Sequence, residues 1–276
     1  MTVYDRVSVT VGMILMGIIL LLVLEIPSRA FEFEPLGTPL TFHITDTWLV
    51  STLLLGLSCA GTEAIMRTHP LVRRGVVRYT FPYWILPGLA TLALARFLPQ
   101  SSNLLYWLIG LVAGGGILAW LILANYYMID ALAQDANHRM AGIARGGLDL
   151  ITYLLALIFF TVIYRTRLRS LITATQVTIV ASLLSLSILR NERRRIFQVF
   201  LYSGLIGLIL GETTWALNYW RANALTVGVL LMLLFYVFVG LVQQYMRRRL
   251  NRRVVIEFLS VTILGIGIVI AFGPQA

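Results

Sequence analysis

The sequence contains no lysine, so all 22 of its basic residues are arginine. A lysine amine is needed for a Schiff base to retinal or pyridoxal phosphate, and a lysine holds the nucleotide in a phosphate-binding P-loop. The absence of lysine therefore excludes each of these mechanisms, including that of a light-driven retinal pump.

Cysteine and histidine are nearly as scarce as lysine. Cys59 is the single cysteine, which excludes an internal disulfide, a redox pair and a four-cysteine metal site. The three histidines, His43, His69 and His138, all fall in predicted loops, so a haem held inside a helical bundle by two histidines would have no ligands. We predict no metal and no cofactor.

Charged residues make up only 12 % of the chain and apolar residues 59 %, and the mean hydropathy is +0.85. Soluble domains are about 45–50 % apolar and about 25 % charged. The net charge of +10 does not indicate a nucleic-acid partner, because the arginines cluster between long apolar segments. The composition predicts an integral membrane protein that contacts lipid and binds no nucleic acid.

The apolar segments predict an all-α fold, a polytopic transmembrane helical bundle of about nine spans. A helix crosses the apolar core of a bilayer with about 20 residues and satisfies its own backbone hydrogen bonds there. The connections are short, so residues 1–276 are predicted to form a single transmembrane domain. The predicted spans are residues 8–26, 47–66, 81–98, 104–128, 148–164, 171–189, 196–217, 223–246 and 254–272.

The distribution of arginines predicts the orientation of the bundle. With the N-terminus on the cytoplasmic side, 16 arginines lie in inner segments and 6 in outer segments. Arginine-rich connections stay on the cytoplasmic side of a membrane. We therefore predict a cytoplasmic N-terminus and a C-terminus outside.

The outer connection 27–46 has the pattern of a small β-hairpin. Residues 31–34 alternate between phenylalanine and glutamate, and residues 40–45 alternate roughly in the same way. Pro35, Gly37 and Pro39 stand between the two segments. Such alternation around a proline- and glycine-rich turn is typical of paired strands. The hairpin would serve as a lid or as a docking surface for another subunit.

Glycines at close spacing predict where helices approach one another. Gly207 and Gly211 in the seventh span have the GxxxG spacing that lets two helix backbones come close. Three successive glycines, residues 114–116, lie in the middle of the fourth span. We interpret them as packing positions, and a broken helix that lines a substrate path is the alternative.

A polar and aromatic cluster near the outer end of the seventh span is the candidate site. Glu212, Trp215 and Tyr219 are spaced i, i+3 and i+7 and therefore share one helix face. An ionisable group within a span is costly and by default indicates function. The candidate residues are Glu212, Trp215, Asn218, Tyr219, Arg221 and Arg96, the last of which ends the third span on the same side.

Two interpretations of this cluster remain open. A carboxylate beside arginines and aromatic rings suits a polar head group, a sugar or a pigment ring. Alternatively, Glu212 pairs with Arg96 or another arginine and locks the bundle, while the aromatic residues form the belt typical of a membrane interface.

Polar residues at the predicted cytoplasmic side have simpler explanations. Glu63 lies close to arginines, so ion pairing at the membrane boundary accounts for it. Asn125, Asp130 and Asp135 are five residues apart, which turns neighbouring side chains by about 140° on a helix and prevents them from sharing a magnesium ion.

The segment 215–220, Trp-Ala-Leu-Asn-Tyr-Trp, with Glu212 before it, resembles an uncharacterised bacterial family of polytopic membrane proteins. The resemblance implies a bacterial membrane protein of unknown function, and we predict that the protein lies in the cytoplasmic membrane. It implies no activity and no role for an individual residue.

Three functions are compatible with these observations. The preferred one is a non-enzymatic protein, either an accessory subunit of a membrane assembly or a binder of a lipid or another hydrophobic molecule. The second is a transferase or hydrolase that acts on a lipid-linked substrate at the outer face, with Glu212 as its active group and Arg96 or Arg221 on phosphate. The third is a small-solute transporter.

Overall fold

The computed structural model describes residues 2–23, 29–33, 40–44, 46–75, 77, 79–98, 103–133, 138–166, 170–190, 196–220, 222–248, 251–252, 256–260, 262–263, 265 and 267. Within these residues, two β-strands are assigned between the first two helices: β1 Arg29–Phe33 and β2 Leu40–Ile44. The helices are α1 Val3–Val23, α2 Asp46–Met66, α3 Pro70–Arg73, α4 Ile85–Phe97, α5 Leu104–Ala133, α6 His138–Arg165, α7 Ser170–Leu189, α8 Ile196–Leu217 and α9 Ala224–Met246.

Seven helices in the described part of the chain are long and apolar enough to cross a membrane: α1, α2, α5, α6, α7, α8 and α9. They correspond to seven of the predicted spans. The last predicted span, residues 254–272, lies largely outside the described residues. The architecture is all-α and compatible with insertion into a membrane, while the count of nine spans and the orientation stay predictions.

Two helices extend further than the apolar pattern predicts. α5 continues to Ala133, and α6 already begins at His138 instead of near residue 148. His138 is therefore helical, and its prediction as a loop residue is wrong. A helix satisfies its own backbone hydrogen bonds in water as well as in lipid, so it need not end where the apolar residues end.

The helices form two compact units, residues 1–144 and 145–276. In the first unit, α1 packs against α2 and α5, and α4 packs against α2 and α5. In the second unit, α7, α8 and α9 pack against one another. The prediction of a single domain over residues 1–276 stays a prediction.

The strands β1 and β2 pair antiparallel within the segment 27–46, where the alternating pattern predicts a hairpin. Arg29 is opposite Ile44, and Phe33 is opposite Leu40.

The third predicted span is a short, buried helix. α4 has 13 residues and is preceded by a 3₁₀ turn, Phe81–Tyr83. Pro87 lies in the first turn of α4, where the missing backbone N–H breaks no helical hydrogen bond. A helix of this length measures about 20 Å, against about 30 Å for the apolar core of a bilayer. α4 is therefore too short to cross by itself.

Hydroxyl groups and a glycine hold α4 close to α2. Thr91 Oγ1 donates to Ser58 Oγ at 3.0 Å, and both side chains are fully buried. One turn earlier, a Cβ on Gly88 would lie 3.0 Å from Cys59 Sγ. Small residues thus bring these two helices together, as expected where apolar burial alone gives no preference between helix and lipid.

The helices α7 and α8 form the closest contact of the second unit along a seam of small residues. A Cβ on Gly207 would lie 2.5 Å from the Thr178 backbone oxygen, and one on Gly211 would lie 3.0 Å from the Ala174 oxygen. Ser185 Oγ hydrogen-bonds the Ser203 carbonyl at 3.3 Å further along. The predicted packing role of the GxxxG spacing is confirmed.

The three glycines in α5 also serve packing. α5 is continuous from Leu104 to Ala133, so the alternative of a broken helix is wrong. A Cβ on Gly114 would meet Leu94, and one on Gly115 would meet Leu15, whereas Gly116 has open space. Gly114 therefore lets α4 pack closely against α5, and Gly115 does the same for α1.

Candidate functional site

The C-terminal half of α8 presents a continuous exposed face on which Glu212 lies. Leu205 and Leu208 precede Glu212 on this face and Trp215 follows, each of the three 50 % exposed. Glu212 itself is exposed. Among the described residues, no hydrogen bond or ion pair reaches its carboxylate. The arrangement is a negative charge set in an apolar surface of a helix that is long enough to span a membrane.

Beyond the end of α8, the chain turns and stays attached to α6. α8 ends at Leu217, so Tyr219 lies in the turn and not on the helix face that the spacing predicts. The Tyr164 hydroxyl donates to the carbonyl oxygens of Leu217 at 3.0 Å and Trp220 at 3.1 Å. Each carbonyl also accepts a backbone N–H, that of Leu217 from Trp220 and that of Trp220 from Ala222, both at 2.9 Å. The buried Tyr164 hydroxyl therefore adds a second hydrogen bond to each carbonyl of the turn.

Asn218 is separated from the exposed face of Glu212. It lies six positions later in the chain and is partly buried. Its side-chain nitrogen is buried and has no hydrogen-bond partner among the described residues. Tyr219 is 79 % exposed and Trp220 is 43 % exposed. The turn that follows α8 therefore combines exposed aromatic rings with one buried amide donor.

Neither of the two arginines predicted for the site belongs to the described part of the second unit. Arg221 lies outside the described residues. Arg96 is exposed near the end of α4, which belongs to the other compact unit. A contact of either guanidinium with Glu212 stays a prediction.

A second polar group connects α2 to the segment before α4. Glu63 Oε1 accepts hydrogen bonds from Arg67 Nε at 2.8 Å and from Thr80 Oγ1 at 2.7 Å. Its second oxygen is buried and has no hydrogen-bond partner among the described residues. The predicted ion pairing of Glu63 is confirmed, and Thr80 is a partner that the sequence did not indicate.

His69 lies in the connection between α2 and α3, as predicted, and it is fully buried there. Its Nδ1 accepts a hydrogen bond from the Leu71 backbone N–H at 3.2 Å and thereby caps α3. Its ring packs against that of Tyr126 in a T-shaped arrangement, with the centroids 4.6 Å apart. The sequence carried part of this signal, because a proline such as Pro70 at the first helical position is typical of a helix start.

Asn125 is fully buried in α5, and its Nδ2 donates to the Tyr83 carbonyl at 3.1 Å. It therefore anchors the turn before α4. No local pattern indicates this contact, because the two residues are far apart in the sequence. In the part of the chain that the structure describes, no three His, Cys, Asp or Glu side chains are grouped as metal ligands would be.

These features define the class of the protein: an all-α chain whose described part has seven helices long and apolar enough to cross a membrane. The chain belongs to the family described as protein of unknown function DUF5656, whose sequence pattern covers residues 26–272. The predicted resemblance to an uncharacterised family is consistent with this finding. No curated protein and no solved structure matches the chain.

Proposed function

We propose that this chain is a non-enzymatic integral membrane protein that binds a second membrane component at the outer end of α8. The component is another subunit of a membrane assembly or a lipid. The proposal places the chain in a bacterial cytoplasmic membrane, with nine spans, a cytoplasmic N-terminus and the C-terminus outside.

The exposed position of Glu212 supports this function. A carboxylate within a spanning helix is costly in lipid unless a cation or water compensates it. A cationic side chain of a partner helix or the ammonium group of a lipid would supply this compensation. The neighbouring Leu208 and Trp215 would add apolar contact area on the same face.

The contacts of α4 support the count of nine spans. A Cβ on Gly110 would lie 2.5 Å from Leu98 at one end of α4, and Asn125 bonds Tyr83 before its other end. The 3₁₀ turn and α4 together thus run alongside α5 from residue 110 to residue 125. Those 16 residues of α5 rise about 24 Å, which approaches the thickness of the apolar core.

Native mass spectrometry of the protein, extracted gently from its own membrane, tests the binding function. We expect wild-type protein to retain a stoichiometric partner chain or a lipid, and Glu212→Gln to lose it. Glu257→Gln is the matched control, since it removes an exposed carboxylate outside α8. The mass of the retained component distinguishes a subunit from a lipid.

Equal retention by wild type and Glu212→Gln would contradict the proposal. Turnover of a lipid-linked substrate by the wild type, abolished in a folded Glu212→Gln variant, would replace the binding function by the transferase or hydrolase alternative.

A further inference from the structure

The turn that ends α9 contains an arginine in a conformation that glycine normally adopts. Arg248 has φ 55°. Its backbone N–H donates to the Tyr245 carbonyl at 3.0 Å, and Arg247 caps the helix before it. A side chain at such a position is unfavourable because Cβ comes close to the following carbonyl.

The same turn occurs a second time in the chain, with glycine at the equivalent position. α3 ends with Arg74 as its cap, followed by Gly75 at φ 72°, whose N–H donates to the Val72 carbonyl at 3.0 Å. The two turns thus share the capping arginine and the hydrogen bond, and differ at the residue with positive φ. The backbone of the α9 turn does not require arginine, and glycine would adopt its positive φ with less strain.

The α9 turn is also the start of the densest arginine cluster in the sequence. Five arginines occur within seven residues: Arg247, Arg248, Arg249, Arg252 and Arg253. Of these, Arg247, Arg248 and Arg252 are described, and all three are exposed. Glu257 is the nearest carboxylate that follows in the sequence. The five positive charges of the cluster outnumber the single negative charge of this carboxylate. They also exceed the partial negative charge that the helix dipole places at the end of α9.

An exposed tyrosine ring at the same end of α9 is typical of a position at the membrane interface. Tyr245 is 57 % exposed, and its ring centroid lies 5.8 Å from that of Tyr202 near the start of α8. Tyrosine is enriched at the boundary between lipid and water. Since Glu212 lies near the other end of α8, the arginine cluster is separate from the site of the proposed function.

We propose that the turn after α9 binds the phosphate group of an anionic phospholipid, with Arg248 as a principal contact. Guanidinium groups bind phosphate oxygens with two parallel hydrogen bonds, and arginine clusters directly beside a spanning helix attract anionic lipid. The left-handed backbone at Arg248 turns the chain there, and Arg247, which is also exposed, lies beside it in the same turn.

The test uses the full-length protein in vesicles of phosphatidylcholine containing phosphatidylglycerol, followed by native mass spectrometry of the retained lipids. We expect wild type to retain phosphatidylglycerol preferentially and Arg248→Gln to reduce that retention by about fivefold. Arg73→Gln is the matched control, because it removes one exposed arginine from the helix end that carries the glycine turn. It should leave retention within twofold of wild type.

A second variant separates lipid binding from folding. Arg248→Gly removes the backbone strain, so its melting temperature in detergent without anionic lipid should equal or exceed that of wild type, while phosphatidylglycerol retention falls. A lower melting temperature in that detergent would mean that the arginine is a structural cap and would overturn the proposal.

Two further outcomes would also overturn it. An equal loss of phosphatidylglycerol retention in Arg248→Gln and Arg73→Gln would show that lipid retention depends only on the total charge of the protein. Inorganic phosphate that raises the melting temperature in detergent as much as phosphatidylglycerol does would show a site for free phosphate instead of lipid.

Discussion

At the scale of single residues, Glu63 shows how solvent exposure decides which of two hydrogen bonds contributes more to stability. Both bonds are made to the same carboxylate oxygen. The Arg67 side chain is 74 % exposed, so water screens its charge, whereas the Glu63 side chain is only 22 % exposed. The bond from the part-buried Thr80 hydroxyl therefore contributes more to stability than the ion pair.

We expect Thr80→Val to destabilise the protein by about 1.5 kcal/mol, because a bond to a charged acceptor is lost. Arg67→Gln should cost about 0.5 kcal/mol or less, as an exposed ion pair does. Reversible unfolding in mixed detergent micelles measures both free energies. A larger loss in Arg67→Gln than in Thr80→Val would mean that the ion pair dominates.

At the scale of helices, the seam between α7 and α8 distinguishes glycines that pack from glycines that do not. Gly207 lies against the backbone of α7, where no side-chain rotation can make room. Gly204, one turn earlier on α8, has no atom within 4 Å of the place where a Cβ would lie. The same substitution should therefore have opposite effects at the two positions.

Gly207→Ala should destabilise the protein by about 1–3 kcal/mol, because the methyl group forces α7 and α8 apart. Gly204→Ala should leave stability unchanged or raise it by up to about 1 kcal/mol, because alanine favours the helix. Unfolding in mixed micelles compares the two variants. Equal effects would show that α7 and α8 do not pack along this seam in the membrane.

At the scale of the whole molecule, the direction of every helix after α4 depends on whether the 3₁₀ turn and α4 cross the membrane. If the 3₁₀ turn and α4 cross, the residues before them and the residues after them lie on opposite sides of the membrane. Cysteine labelling decides this, because Cys59→Ala gives a chain without cysteine. Single cysteines then replace Tyr79 and Leu104, which are both exposed.

We expect a membrane-impermeant thiol reagent, applied to intact cells, to label the cysteine at 104 and not the one at 79. Both should react after the membrane is permeabilised. Labelling of both positions in intact cells, or of neither, would show that α4 is a re-entrant segment and that the chain has fewer than nine spans.

The positions of the long helices, the hairpin segment and the GxxxG seam were predictable, because each follows from local sequence. Length and hydropathy place a spanning helix without reference to its neighbours. Small residues at a spacing of four mark a close approach on one face. For the same reason α4 was predicted only in part: its apolar stretch is visible, but proline and the 3₁₀ turn shorten the helix.

Which polar groups meet was decided by the tertiary structure. Thr80 reaches Glu63, Asn125 reaches Tyr83, and Tyr164 reaches the end of α8 across 53 residues of chain. In a helix that is apolar on all sides, hydrophobic periodicity does not distinguish the face toward lipid from the face toward another helix. The sequence by itself therefore determines where the long apolar helices lie, whereas the packing of helices side by side determines that His69 is buried and Glu212 is exposed.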